Sequence, residues 1–382
     1  MVMIKKGTKM QNTGFRAALP FWISLTMVAV VILSAYLGDW WLLLTPAYSF
    51  WGMAVIDRFV GLELNNKSPD TPVKDLFWYR LVTLIWFPIE FVLVFAGIAF
   101  VSYSDHLIGV EKWFFMMSIG LITGSTGIVY AHELMHRKSK IERHLGDALM
   151  ALALYGHFRS EHLLVHHSYV GTPKDAVTAR YNEGFHRFLP RVLLQCFSSA
   201  WNAEKAMLAR KKLTAFHPSN PFWKYATLQL IFLLIAFVVA GWLGVAFFIV
   251  QALIAITLLE ATNYVEHYGL TREYLGDGKY EHVKPHHSWN SAYKVTNYLL
   301  INLQRHSDHH YKPNRPYPLL QNYTEDEAPQ LPRGYTLMVA VAMFPPLWKK
   351  IMNPRVKAWR RQFYPDIENW HDYNKALNPI PK

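Results

Sequence analysis

The sequence predicts an all-α integral membrane protein: six transmembrane helices with a cytoplasmic helical cap that carries clustered histidines. Three observations lead there. Of 382 residues, 52% are hydrophobic and only 17% charged, against about 25% charged in an ordinary soluble domain. Apolar stretches of about 20 residues, the length that crosses a hydrocarbon core, occur six times. More than half of the 18 histidines fall in short runs. The single cysteine, Cys196, excludes a disulfide framework, a Cys-ligated zinc module and an iron–sulfur cluster within the chain.

The first span runs from Phe15 to Leu37 and the second from Trp40 to Val60. No small-residue cleavage site follows the first, so it reads as an uncleaved helix rather than a signal peptide. The third, Leu76 to Tyr103, is long enough to tilt. The fourth covers Trp113 to His136. The fifth, Phe222 to Gly241, meets the sixth, Leu243 to His267, across Gly241-Trp242-Leu243-Gly244. Lys5, Lys6, Lys9 and Arg16 precede the first span and place the N-terminus in the cytoplasm,. Six crossings then return the C-terminus to the same side. The outside connections, near Gly38-Asp39, at Ser104 to Lys112 and at Gly241 to Gly244, hold one basic residue, Lys112; Arg137, Lys138, Lys140, Lys205, Arg210, Lys211 and Lys212 fall inside. The net charge of +12 is thus partly a matter of topology, and no nucleic-acid partner is expected. Leu145 to Phe158 is too short to cross and reads as a helix under the bundle. Tyr335 to Met352, interrupted by Pro345-Pro346, reads as an interfacial helix,. The whole chain, 1–382, is one membrane domain, its cap drawn from 137–220 and 268–382.

Three histidine clusters and one single residue carry the chemistry: His132-Glu133-Leu134-Met135-His136, Glu161-His162-Leu163-Leu164-Val165-His166-His167, Arg305-His306-Ser307-Asp308-His309-His310, and His267 where the sixth span ends. Helical residues three or four apart are neighbours on one face. His132 and His136 can therefore chelate one metal, as can His162 with His166, and His306, His309 and His310 share a face; helix geometry alone does not divide the nine ligands between metals. His166 and His167 diverge by about 100°, as suits two metals side by side. Nine imidazoles exceed the six positions of one octahedral ion, so two metals are expected. Neutral nitrogens suit iron, zinc, copper or nickel and disfavour calcium and magnesium. A ligating histidine commonly donates its other N–H to a carboxylate, and Glu133, Glu161, Glu266 and Asp308 each adjoin a proposed ligand in sequence. Glu281, His286 and His287 are expected to support the site by holding the cap together or relaying protons. Isolated histidines such as His106, His186, His217 and His371 read as surface or core residues, and Asp175 and His144 as unassigned polar residues of the cap.

The first cluster also fits the zincin pattern, two histidines flanking a glutamate base, which makes an intramembrane zinc metalloprotease an alternative; that pattern leaves seven histidines idle. A metal transporter would want its ligands at the bilayer midplane.

At these residues the chain resembles the histidine-box non-haem di-iron desaturases and hydroxylases of membranes, and within them the membrane alkane 1-monooxygenase family. Asn263 to Leu270 (NYVEHYGL), Leu303 to His310 (LQRHSDHH) and Tyr280 to Ser291 (YEHVKPHHSWNS) carry the resemblance, with Gly156-His157-Phe158 before Glu161-His162, and Asp57 with Asn65-Asn66. It implies two non-haem irons that use dioxygen and two electrons to turn the terminal methyl of a medium- to long-chain alkane into a primary alcohol. An unactivated C–H bond demands a redox metal, and zinc has no redox states. The resemblance further implies rubredoxin as electron donor, fed by an NAD(P)H-dependent reductase, at the cytoplasmic face of a bacterial inner membrane; Arg137, Lys138, Lys140 and Arg143 are its expected docking surface. It implies a bulky residue on the second span that closes the far end of the substrate channel, with Tyr48, Phe50 and Trp51 as candidates. A related desaturase, fatty-acid hydroxylase or xylene-type methyl monooxygenase is the alternative within the same architecture.

Overall fold

The computed structural model describes residues 13–374; Lys5, Lys6 and Lys9 lie outside the described residues. The chain is mostly helical, with one small antiparallel hairpin, Tyr274–Gly276 with Lys279–Tyr280. Four helical stretches are long and apolar enough to cross a membrane: Phe15–Leu37, Val73–Tyr103, Val110–Met135 and Pro221–His267. The last is two helices in sequence. Its backbone leaves the helical region at Ala240 and Gly241, where Gly241 takes φ 59°, a left-handed conformation that glycine adopts without a Cβ penalty. Residues 39–60 are helical throughout, including a π-helical turn at Tyr48–Gly52, but Thr45, Pro46, Tyr48, Ser49 and Asp57 interrupt their apolar character and they are not among the four.

Close packing between two of these helices sets the frame of the site. A Cβ added at Gly120 would lie 2.4 Å from the Gln251 carbonyl oxygen, and one at Gly124 would lie 3.0 Å from Ala255. Small residues four apart let two helix backbones approach, so Val110–Met135 and the second half of Pro221–His267 run in contact. Gln251 fastens them: Thr123 donates to its Oε1 at 3.1 Å and its amide donates to the Leu152 carbonyl at 2.7 Å. Below the bundle lie Lys140–Leu152, with Ser139 accepting from the Glu142 amide as N-cap, and the 26-residue Phe185–Arg210.

The expected interfacial helix is two helices, Tyr335–Ala342 and Pro345–Phe363, since the prolines start the second one, where a missing N–H costs nothing. The first packs inward through Tyr335, Met338 and Val339; the second buries Trp348, Met352, Val356 and Trp359 while Phe344 and Leu347 stay exposed. A buried carboxylate ties the run 39–60 to the cap. Asp57 accepts from the Val295 amide at 2.6 Å and from the Thr296 hydroxyl at 2.6 Å, which caps the short helix Lys294–Leu299. Asn66 accepts from Arg305 at 3.2 Å and from the Asn322 amide at 2.7 Å.

Candidate metal centre

Four segments deliver the nine rings: the inner end of Val110–Met135, the helical run 158–169, the end of Pro221–His267 and the short helix His306–Tyr311. They sort into two groups. His132, His136, His162 and His309 present nitrogens within 4.8 Å of one another, and His167 joins them, its Nε2 at 3.0 Å from His162, 3.3 Å from His136 and 3.1 Å from His309. His166, His267, His306 and His310 form the second group, with Nε2 atoms 3.0–3.2 Å apart from ring to ring.

These contacts fit a cation and little else. Nε2 of His162 lies at 2.9, 3.1 and 3.0 Å from three other Nε2 atoms. A ring nitrogen offers one proton or one in-plane lone pair, so it cannot satisfy three such neighbours; converging lone pairs need a positive charge between them. Burial, and then the neighbouring rings, hold His162, His167, His306, His309 and His310 well below the ordinary histidine range. They are neutral at pH 7, the form that binds a metal.

The pairing of His162 with His166 on one metal is corrected. A π-helical turn spans His162–His166, with i→i+5 hydrogen bonding in place of i→i+4. A regular α-helix would turn His167 about 140° away from His162 at about 100° per residue. The wider turn brings His167 to His162's group and sends His166 to the other. The third cluster divides too: His306 and His310 join one group and His309 the other.

The carboxylates also fall differently. Glu133 pairs with Arg137 at 3.3 Å and accepts from the Tyr317 amide, so it is not placed as the base of a zincin. Asp308 is held by Arg315, Tyr323 and the Gln321 amide. Glu161 is fully buried and has no hydrogen-bond partner among the described residues; burial, and then Asp175 and Glu260, push its carboxyl well up. Of the four, Glu266 alone meets a ring, and it is His306 at 3.3 Å rather than its sequence neighbour His267. Successive helical side chains diverge, so a ligand's partner comes from another segment. Asp175 is the residue the sequence reading passed over: its Oδ2 lies 3.0 Å from Nδ1 of His166, with the Thr178 hydroxyl donating at 2.7 Å and the Val177 amide at 3.1 Å. Burial works against its charge, but His166 and these donors outweigh it and keep the carboxyl below its ordinary value. No spacing rule marks a carboxylate nine residues beyond the ligand.

Glu281, His286 and His287 stand apart. The Lys284 amide donates to Nδ1 of His287 at 2.8 Å, which puts that ring's proton on Nε2, facing Glu281 at 3.2 Å and the Tyr364 hydroxyl at 2.6 Å. This tautomer has no lone pair left for a metal, and the trio fastens residues 281–287 to Tyr364 at the end of Pro345–Phe363.

A narrow internal cavity is lined by Val129, Thr262 and Leu303, each within a turn or two of a ligand in the sequence, and by Met27, Ser49 and Phe50; no histidine lines it. Of the three gauge candidates, Phe50 alone lines it: Tyr48 is bonded to Thr26 at 2.8 Å and Trp51 is 58% exposed. A second pocket, of about 410 Å³, reaches His136 between Val73, Leu76, Tyr317 and Pro318 and the polar groups of Arg80, Arg137 and Lys138.

With the rings placed, the comparisons decide the family. The fatty acid desaturase family model matches residues 111–342. The chain is 38% identical to alkane 1-monooxygenase 2 of Alcanivorax borkumensis, over 92% of each chain. The chain belongs to the alkane 1-monooxygenase family. It is 39% identical to alkane 1-monooxygenase 1 of Pseudomonas aeruginosa, over 84% of this chain and 87% of that protein. The xylene/toluene monooxygenase hydroxylase component XylM of Pseudomonas putida is a more distant relative, 25% identical over 90% of each chain. Membership accounts for the histidine clusters as one shared apparatus, of which the zincin-like HELMH is a part.

Proposed function

We propose that this protein is an alkane 1-monooxygenase that hydroxylates the terminal methyl of medium- to long-chain n-alkanes, with two irons held by the nine histidines, five on one and four on the other. The observation that carries the reading is the convergence of nine imidazoles into two metal-competent groups, beside helices apolar enough to cross a membrane. When bound, the irons supply dioxygen activation, and the overall reaction is RH + O2 + 2e− + 2H+ → ROH + H2O. The chain's own residues do the rest. The rings fix the metal positions, Asp175 orients His166 through the hydrogen bond to its Nδ1, and the apolar walls leave the methyl end as the part of the substrate that reaches the metal. An alkane enters from lipid, so the site at inner helix ends is within its reach.

The same reading takes the chain as six spans with both termini and the cap on the cytoplasmic side of a bacterial inner membrane. Rubredoxin, reduced by an NAD(P)H-dependent reductase, is the proposed donor, because the chain has no cysteine quartet or dinucleotide fingerprint of its own,. Within the proposed docking surface, Arg137 is engaged with Glu133 and the carbonyls of Asn314 and Arg315, and Arg143 with the carbonyls of Arg137 and Lys138. Lys138 and Lys140 are exposed and are the charges available to a partner.

Product analysis with octane, xylene and a fatty acyl thioester tests the reading: 1-octanol as the main product supports it. An alkene from the thioester, or hydroxylation of xylene alone, would replace it with the desaturase or xylene-type alternative.

A further inference from the structure

The two histidine groups are not supported alike. Asp175 lies 3.0 Å from Nδ1 of His166, and Glu266 lies 3.3 Å from Nδ1 of His306. Both rings belong to the four-histidine group, and both carboxylates are at least nine-tenths buried. Among the described residues, no carboxylate comes within ion-pair distance of a ring of the five-histidine group; the other His–carboxylate pairs involve His287 and His371. Of the acids adjoining that group in sequence, Glu133 is engaged by Arg137 and Asp308 by Arg315, while Glu161 is buried and forms no ion pair with a ring.

Of the two carboxylates only Asp175 is hydrogen-bonded to its ring; Oε1 of Glu266 and Nδ1 of His306 make no hydrogen bond among the described residues. Resting on the di-iron reading above, we infer that the two metal positions are electronically unequal, with Asp175 acting as a positioning residue that makes iron at the four-histidine position the more easily oxidised. A carboxylate that accepts a ligand's Nδ1–H fixes the tautomer, turns the Nε2 lone pair toward the metal and makes the ring a stronger donor. The buried Asp175 carboxylate, held by His166, the Thr178 hydroxyl and the Val177 amide, also offsets the additional positive charge of Fe(III) relative to Fe(II), an effect magnified where water is excluded. The five-histidine position has a fifth neutral ring in place of that anionic support, and neutral donors do less for the higher charge. The one-electron couple at each position is Fe(III) + e− → Fe(II), with a chemical reductant supplying the electron.

The test is an anaerobic redox titration of the iron-loaded full chain, followed by Mössbauer spectroscopy, together with iron content under a graded chelator. Wild-type protein is expected to reduce in two resolved steps. Asp175→Asn, which keeps shape and an acceptor oxygen but removes the charge, should make the harder-to-reduce iron easier to reduce and leave the other step in place. It should weaken retention of one iron by about 10-fold or more. The unaffected second iron doubles as the control for folding, and if Asp175→Asn does not fold, Asp175→Ser carries the test. Equal shifts at both irons, no shift at either, or a single step in the wild type would overturn the inference. Wild-type protein that holds fewer than two irons would overturn the di-iron reading itself.

Discussion

The second and third histidine clusters make the same junction with different helices. His162-Leu163-Leu164-Val165-His166-His167 places three residues between its single and doubled histidines and folds with a π-helical turn; His306-Ser307-Asp308-His309-His310 places two and lies in a short α-helix. In each, the first and last rings join one group and the middle ring crosses to the other: His162 and His167 against His166, His306 and His310 against His309. Spacing and helix type compensate each other. At about 100° per residue, the third and fourth positions of an α-helix flank the meridian of the first; with a longer turn, the fourth and fifth positions do so. Residue counts alone assign partners wrongly unless the pitch is known.

The crossing rings are where this comparison is most easily broken. His166→Ala or His309→Ala each removes a ligand from the group opposite its neighbours and should lower activity by more than about 100-fold, beyond the 10- to 100-fold cost of losing a ligand's supporting partner; metal analysis should show iron lost. Full activity in His309→Ala would undo the assignment, and His371→Ala should change nothing. A deletion sharpens the comparison: removing Leu164 gives the second cluster the spacing of the third and lets an ordinary α-helix present the doubled histidines. We expect that variant to retain more iron than one with an alanine inserted after Ser307, where the neighbouring Asp308 is anchored by Arg315 and the Gln321 amide. Equal iron in the two would show that pitch is not what matters.

Smaller effects lie farther from the rings. Phe50→Ala should extend the longest alkane accepted, measured as a product profile across chain lengths, while Trp51→Ala should not. An unchanged Phe50 profile would remove that side chain as the stop. Reversing Lys138 and Lys140 to glutamate should slow turnover under limiting rubredoxin by a few-fold at low salt, with iron content kept. The difference should shrink as ionic strength rises, because charge complementarity acts chiefly on association and is screened within about 10 Å at 0.1 M. A salt-independent rate would discard this docking surface.

Much of the membrane part was legible because twenty apolar residues have few alternatives; even the break at Gly241 stood out as a glycine-bounded turn. The nine rings could be named because their spacing is local. What spacing did not disclose came from elsewhere in the chain or from a change of pitch. His167 reaches its group through a π turn that no residue type announces. The partner of His166 is Asp175, brought back by a loop, and the carboxylate nearest His306 is Glu266, from a different helix, while Glu133 and Asp308 turned to arginines and Glu161 stayed without a hydrogen-bond partner among the described residues. Two helices stand where one interfacial helix was expected, because a proline pair read as an interruption serves equally well as a start.

Asp57 has a consequence for measurement. It sits two turns beyond Phe50 and grips Val295 and Thr296; Thr296 in turn meets Gln304, whose side chain also receives the Tyr335 amide at 2.7 Å, two residues before His306. The proposed stop for one end of a hydrocarbon and the rings proposed to meet the other are thus bolted to one bracket, as the zero and the stop of a calliper share a beam. Asp57→Ala would leave both jaws present and let the beam flex, so the enzyme would misread length: the alcohol would spread from the terminal carbon to its neighbours before activity was lost.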